Sequence, residues 1–211
     1  MASTIKEVIR SGEGAQVEFK KTLSQLEKVA KTLVAFANSK GGTLIIGVQD
    51  DKYVIGFTDP EEERYMLEQA SKFYCQPEVR IEVSEEEVFG KMVMVVQIPE
   101  SETKPHKSLS SNGDWQLYVR SGDQCLLATP LVAKALALEK EGRDEQKAKI
   151  LTNNEKELFG FLEKKRKITL KDYAKLINVS KRRAYRILID LTLSGKLFMH
   201  DLETTIFFTR A

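Results

Sequence analysis

The sequence predicts a mixed α+β domain followed by a small helical domain that ends in a two-stranded wing, and three observations carry this. Residues 43–48 form an unbroken apolar run between segments of helical periodicity, the pattern of a central strand covered by helices. A densely charged run at 139–149 holds Gly142 and divides the chain. Beyond it lie three helical segments and two short strands. The α+β domain is therefore placed at 1–140, a charged linker at 141–152 and the second domain at 153–211.

The elements follow in order. Ser3-Thr4-Ile5-Lys6-Glu7 carries a helix start, a hydroxyl residue with Glu three positions later, and Gly12 and Gly14 end that helix. Gln16-Val17-Glu18-Phe19-Lys20 alternates like a half-buried strand. From Ser24 to Asn38 the residues Leu26, Ala30, Leu33, Val34 and Ala37 make one helical face, and Gly41-Gly42 leads out into the central strand. Asp50-Asp51-Lys52 turns the chain into 53–57, a hairpin signal. After Pro60, Glu61 to Tyr74 reads as a helix with acidic residues in its first turn, which suits the helix dipole. Residues 79–83 and 92–98 read as strands around Phe89-Gly90, 115–120 as another, and 130–138 as a closing helix. In the second domain Asn153 or Asn154 caps a helix to Lys164, 170–177 makes a second, and Ser180 caps a third that reaches Ser194-Gly195. Residues 197–199 and 205–208 form the wing.

Composition narrows the function classes. With 211 residues, 42% hydrophobic and 30% charged, the chain has globular rather than disordered or fibrous character. No stretch approaches the roughly 18 apolar residues of a membrane span, and the first ten residues lack a signal-peptide core, so a cytoplasmic protein with no membrane partner is expected. Cys75 and Cys125 have neither Cys-x-x-Cys nor His-rich neighbours, which points away from a disulfide framework or zinc and towards two buried thiols. The net charge of +2 hides an asymmetry: from Leu151 onward there are 13 basic and 7 acidic residues, against 20 and 24 before it. The tail is basic enough to meet nucleic acid.

In the third helix of the tail, Ala184, Ile187, Leu188 and Leu191 stand at i, i+3, i+4 and i+7 and define the buried face. Arg182 and Arg186 then lie opposite, flanked by Lys181 and Arg183. Arginine can bond guanine bidentately and either cation can neutralise phosphate, so this helix suits a major groove. Two short helices joined at Asn178-Val179, plus the wing, make a winged helix-turn-helix. Ile189 and Leu193 fall towards the outer side, which a partner or self-contact would also use. The acidic wing tip, Asp201 to Glu203, would repel phosphate.

Other candidates lie in the first domain. Glu13, Glu18 and Asp50 could converge at a sheet edge, and hard cations such as Mg²⁺ or Mn²⁺ take such oxygen ligands. Equally, Glu18 could pair with Lys20 or Lys21, Asp50 could shape the hairpin, and Glu13 could be solvated. Lys20, Lys104, Lys107 and Arg120 could give a local basic rim, Trp115 or Tyr118 could stack a base, and His106 is either a general base or a loop residue. No Gly-x-x-x-x-Gly-Lys-Ser/Thr run exists, so no ATP-binding residues are expected.

Four ordered motifs carry a resemblance. They are Glu13-(four residues)-Glu18-Phe19-Lys20, Ala35-Phe36-Ala37-Asn38-(two residues)-Gly41-Gly42, Ile46-Gly47-Val48-Gln49-Asp50 and Tyr118-Val119-Arg120-(one residue)-Gly122. From about Gly12 to Thr129 the chain resembles the Schlafen AlbA-like domain family. The resemblance implies a nucleic-acid-binding protein, since bacterial members are similar to DNA-binding transcriptional regulators and often carry a winged helix behind this domain. Animal members that cleave RNA place two glutamates five apart and an aspartate after the Gly-Val strand, which here implies Glu13, Glu18 and Asp50 as metal ligands and catalytic residues. Those enzymes clamp RNA with two such domains, so a homodimer would be needed to rebuild that shape. Three expectations result: a DNA- or RNA-binding regulator needing no cofactor, a divalent-metal-dependent endoribonuclease, or a protein-interaction scaffold.

Overall fold

A computed structural model describes residues 4–128, 132, 133, 136, 146–193, 196–202 and 205–210. The chain divides into two units, Met1–Thr129 and Pro130–Ala211. The expected domain end at 140 and residues 141–145 of the expected linker lie outside the described residues, as does most of the expected helix at 130–138.

In the first unit, α1 (Ile5–Ser11) begins at the expected capping box: Thr4 accepts from the Glu7 backbone while the Glu7 side chain accepts from Thr4. The central sheet contains β1 (Val17–Lys20), β2 (Gly42–Ile46), β4 (Glu82–Val88) and β5 (Lys91–Ile98) in the order β1-β2-β5-β4. β1 runs parallel to β2 and the other pairs are antiparallel. Strand alternation separates two cores. Leu44, Ile46, Met94, Val96 and Ile98 face α2 (Leu26–Asn38) and α3 (Pro60–Phe73), where they meet Val29, Leu33, Phe36 and Leu67. Ile45, Val93 and Val95 face the other way and pack with Phe19, Val88 and Ile9 of α1. β2 is buried on both faces, which explains its unbroken apolar run.

Small sheets complete the unit. β3 (Cys75–Gln76), β6 (Lys107–Leu109) and β7 (Trp115–Gln116) form one, and β8 (Tyr118–Ser121) with β9 (Gln124–Leu127) another. The single strand expected at 115–120 is thus broken at Leu117, where the chain changes sheets. The strand expected at 79–83 lies instead at Glu82–Val88, an outer strand whose exposed Glu82, Glu85, Glu86 and Glu87 mask its periodicity and discourage edge pairing. The hairpin expected at 53–57 is reduced to one bridge, Val48 to Val54. Gly47 and Gly56 both take positive φ and pack backbone to backbone, which bends the chain out of strand geometry.

The second unit holds α4 (Gln146–Lys165), β10 (Ile168–Thr169), α5 (Leu170–Leu176), α6 (Lys181–Leu193), β11 (Leu197–Leu202) and β12 (Thr205–Arg210). Its antiparallel sheet has the order β10-β12-β11. Asn153 and Asn154 do not cap α4 but lie within it, because the good helix formers from Gln146 onward start the helix earlier. Thr169 caps α5 by accepting from the Asp172 N–H, and Ser180 accepts from Arg183 ahead of α6. Leu158, Leu162, Ile168, Tyr173, Ile187, Leu188, Leu197, Met199 and Phe208 are buried in this unit. Ile189, expected on the outer side of α6, is also buried, so the apolar face is wider than the four-residue stripe implied. The side chain of Leu193 lies outside the described residues. Among the described residues no helix is long and apolar enough to cross a membrane.

Candidate functional site

The edge strand β1 brings Glu13 and Glu18 to one region, but not as an open carboxylate pair. The Phe19 N–H donates to Glu13 Oε1 at 2.7 Å, so Glu13 covers a backbone donor of the edge strand. Glu18 is 9% exposed. Its Oε1 accepts from Lys20 Nζ at 2.6 Å and its Oε2 lies 2.5 Å from the Arg120 guanidinium. Arg120, on β8, is 1% exposed. It donates through Nε to Gly14 O at 3.2 Å and through Nη2 to Gly14 O at 2.9 Å and Val17 O at 3.1 Å. Nη1 reaches Cys125 Sγ at 3.3 Å as well as Glu18. The guanidinium therefore has an acceptor for each of its five N–H groups, and its Cζ lies 4.8 Å from the Phe36 ring centroid.

This geometry does not gather Glu13, Glu18 and Asp50, the expected metal ligands and catalytic residues, into an open carboxylate cluster. Asp50 is exposed, and among the described residues no three His, Cys, Asp or Glu side chains gather where they could hold a metal ion. A divalent cation at Glu18 would have to displace Arg120 and strand a buried guanidinium. As arranged here, the donor set does not fit Mg²⁺ or Mn²⁺.

Of the expected basic rim, Lys107 is exposed, but the other three cations are engaged. Arg120 is consumed by the clamp just described. Lys104 is buried, donating to Ser39 O at 2.9 Å and Glu100 Oε1 at 2.8 Å. Lys20 is partly exposed but paired with Glu18. Lys31 lies 5.0 Å from the Tyr118 ring centroid, so that ring already has a cation on it, whereas Trp115 is 40% exposed. His106 is buried: Nδ1 donates to Pro77 O at 2.8 Å and Nε2 accepts from the Ser101 hydroxyl at 2.6 Å. Burial and the Lys104 charge hold its pKa below the ordinary value despite the Pro77 bond. It is a structural imidazole and not a general base.

Sequence reasoning missed Asn38, which pins the end of α2. Its amide donates to His106 O and Tyr118 O and accepts from the His106 N–H. Nothing local distinguishes Asn38 from a helix-ending asparagine. Of the expected buried thiols, Cys75 is buried, with burial and Glu78 pushing its pKa up to about 12, while Cys125 is only half-buried against Arg120.

In the second unit the α6 cations stand as the periodicity placed them. Lys181, Arg182 and Arg183 are exposed and Arg186 is half-exposed, while Ala184, Tyr185, Ile187 and Leu188 are buried. Among the described residues none of the four cations is paired with a carboxylate. A second cationic stretch, Lys164-Lys165-Arg166-Lys167, is exposed before β10. Sequence reasoning missed it too, although four consecutive basic residues are a plain signal.

Comparison with known proteins matches the family model described as Schlafen, AlbA_2 to residues 13–129. Among solved structures, the DIP2311 protein from Corynebacterium diphtheriae is similar at 18% identity and a TM-score of 0.48, covering 66% of this chain. The chain spans 28% of the length of that protein. The N-terminal domain of a RecG-related protein from Nitrosomonas europaea is similar at 26% identity and a TM-score of 0.44, covering 61% of this chain and 97% of that one. No curated protein matches. The matched span exceeds half of the chain and contains the whole Glu13, Glu18, Phe36 and Arg120 arrangement, so the chain belongs to the Schlafen AlbA_2 family.

Proposed function

We propose that the chain is a nucleic-acid-binding protein of the DNA-binding transcriptional regulator class, and that its second unit is a winged helix-turn-helix with α6 as the reading helix. The observation that carries this is the α6 solvent face: Lys181, Arg182, Arg183 and Arg186 project from a helix whose other face is buried, and none is neutralised by a described carboxylate. Such a helix offers bidentate donors to guanine and point charges to phosphate. The element order helix, strand, helix, helix, hairpin supports the winged-helix reading, and membership of the AlbA_2 family, which rests on residues 13–129, supports nucleic-acid binding alone. A homodimer would present two reading helices about one duplex turn apart.

The test is a titration of labelled duplex DNA by anisotropy across salt concentrations. Replacing Arg182 and Arg186 with Ala should weaken binding by roughly 1–3 kcal/mol for each base-contacting arginine, or lower the salt slope by about one for each phosphate contact. Unaltered affinity and salt slope in a folded double variant would sink the proposal.

A further inference from the structure

The three-stranded sheet of the second unit has one face in the core and one outside it. Ile168, Leu197, Met199 and Phe208 are buried on the core face. By alternation Lys167, Thr169, Phe198, His200, Phe207 and Thr209 share the opposite face, where each is half-buried or exposed. His200 and Phe207 pair directly across β11 and β12, and their rings stack with centroids 4.7 Å apart and planes 13° from parallel. Lys167 Nζ lies 5.4 Å from the Phe207 centroid, and His200 Nε2 is 2.9 Å from Thr209 Oγ1.

Lys167 closes the run of four exposed cations at 164–167, which enters the sheet at its β10 edge. The acidic residues that flank this run in sequence are engaged, whereas Asp201, at the far end of β11, and Glu203 follow His200 in the chain. Glu163 pairs with Arg210 at 3.4 Å, and Asp172 accepts from the Thr169 hydroxyl at 2.7 Å. The patch therefore combines paired aromatic rings, hydroxyls and a contiguous positive edge.

We propose that this outer sheet face binds single-stranded nucleic acid, with an unpaired base extending the His200–Phe207 stack from its His200 side, Phe207 lying between His200 and Lys167, and the 164–167 run holding the phosphates. Stacking on aromatic side chains beside a cationic track is how strands are bound without a groove to read. Duplex bases are already stacked on one another and cannot use a sheet face in this way. A second copy docked symmetrically on the same face would bring two tetracationic runs together, and that repulsion disfavours self-association here. The inference rests on the reading of the chain as a nucleic-acid-binding protein, and adds a surface built from residues other than those of α6.

The experiment uses the full chain and three fluorescein-labelled probes of equal length: oligothymidylate, oligouridylate and a mixed-sequence duplex. Phe207→Leu keeps an apolar side chain but removes the ring, and Lys165→Ala/Lys167→Ala removes charge at an exposed edge, so folding is checked by thermal melting in each. Either change should weaken binding of at least one single strand by roughly tenfold and leave duplex binding unchanged, while Arg182→Ala/Arg186→Ala should do the reverse. If wild type binds none of the probes, the proposed function itself fails. If wild type binds duplex through α6 but the folded sheet variants bind single strands as well as wild type does, only the single-strand surface is overturned. A sedimentation shift from dimer to monomer in Phe207→Leu, without loss of strand binding, would also overturn it in favour of a second copy as the occupant.

Discussion

Among single residues, Glu18 has one dominant task, to be the counter-ion of a guanidinium with almost no solvent. Glu18→Gln leaves Arg120 charged and buried, and breaking such a pair costs about 3–5 kcal/mol, to be read from urea unfolding. Replacing both partners, Glu18→Gln with Arg120→Met, should cost less than the sum of the single changes, since no unpaired charge remains. Millimolar Mg²⁺ or Mn²⁺ should leave the wild-type melting temperature where it is, because a ligand stabilises only a fold that offers it a site. The pairing of Glu18 with Lys20 was legible as one of the readings left open, the two being neighbours on a strand end. The Arg120 pairing was not, because its partners lie more than a hundred positions away. His106 yields a pH dependence with a defined sign. Its folded pKa lies below the ordinary 6.5, so the fold favours the neutral ring. That contribution is complete above about pH 6.5 and is lost as pH falls through the folded value. Unfolding free energy measured from pH 7.5 downward should decline in wild type and decline less in a folded His106→Gln variant.

Among helices and strands, periodicity served where one face alone is buried. α2 and α6 were legible from apolar spacing, α3 from Pro60 and its acidic first turn, and α1 from its capping box. β4 was misplaced because its outer position lets four glutamates occupy it, and the short β3, β6 and β9 escaped because two to four residues hold no period. The Gly41-Gly42 turn between α2 and β2 was legible as a helix exit, and its strictness comes from packing. A Cβ on Gly42 would sit 2.3 Å from the Phe36 ring, and one on Gly41, at φ +69, would sit 2.6 Å from Ile98 O. Gly42→Ala should therefore destabilise by about 1–3 kcal/mol, and a smaller ring-site residue in Phe36→Leu/Gly42→Ala should recover part of it in thermal melts. The α6 arginine variants should melt like wild type, since Arg182 and Arg186 lie off the buried face.

Over the chain as a whole, charge is divided between the units. Met1–Thr129 holds 15 basic and 20 acidic residues, and Pro130–Ala211 holds 18 and 11. The excess of positive charge thus belongs to the second unit, which is where the proposed binding to a polyanion would reside. A fragment of residues 130–211 should keep most of the duplex affinity of the full chain at matched salt, while Met1–Thr129 should bind weakly; equal affinity in the two fragments would contradict this division. Trypsin should cut first at Lys140 or Arg143, within the charged run that the sequence marks as the boundary, leaving two resistant pieces on a gel.

The clamp at Arg120 also has a consequence in time. Its guanidinium holds the carbonyls of Gly14 and Val17, residues 106 and 103 positions earlier. At a synthesis rate of roughly 5–20 residues per second, Gly14 leaves the peptidyl-transferase centre some 5–20 s before Arg120 is added. During that interval Glu18 has no guanidinium partner, and β1 is held by β2, by the Glu13 carboxylate and by the apolar face around Ile9, without the clamp on Gly14 and Val17. A nascent chain halted short of Arg120 would therefore expose an unlocked edge strand. The AlbA_2 unit should become protease-resistant on the ribosome late and in a single step, after Cys125 has emerged from the tunnel.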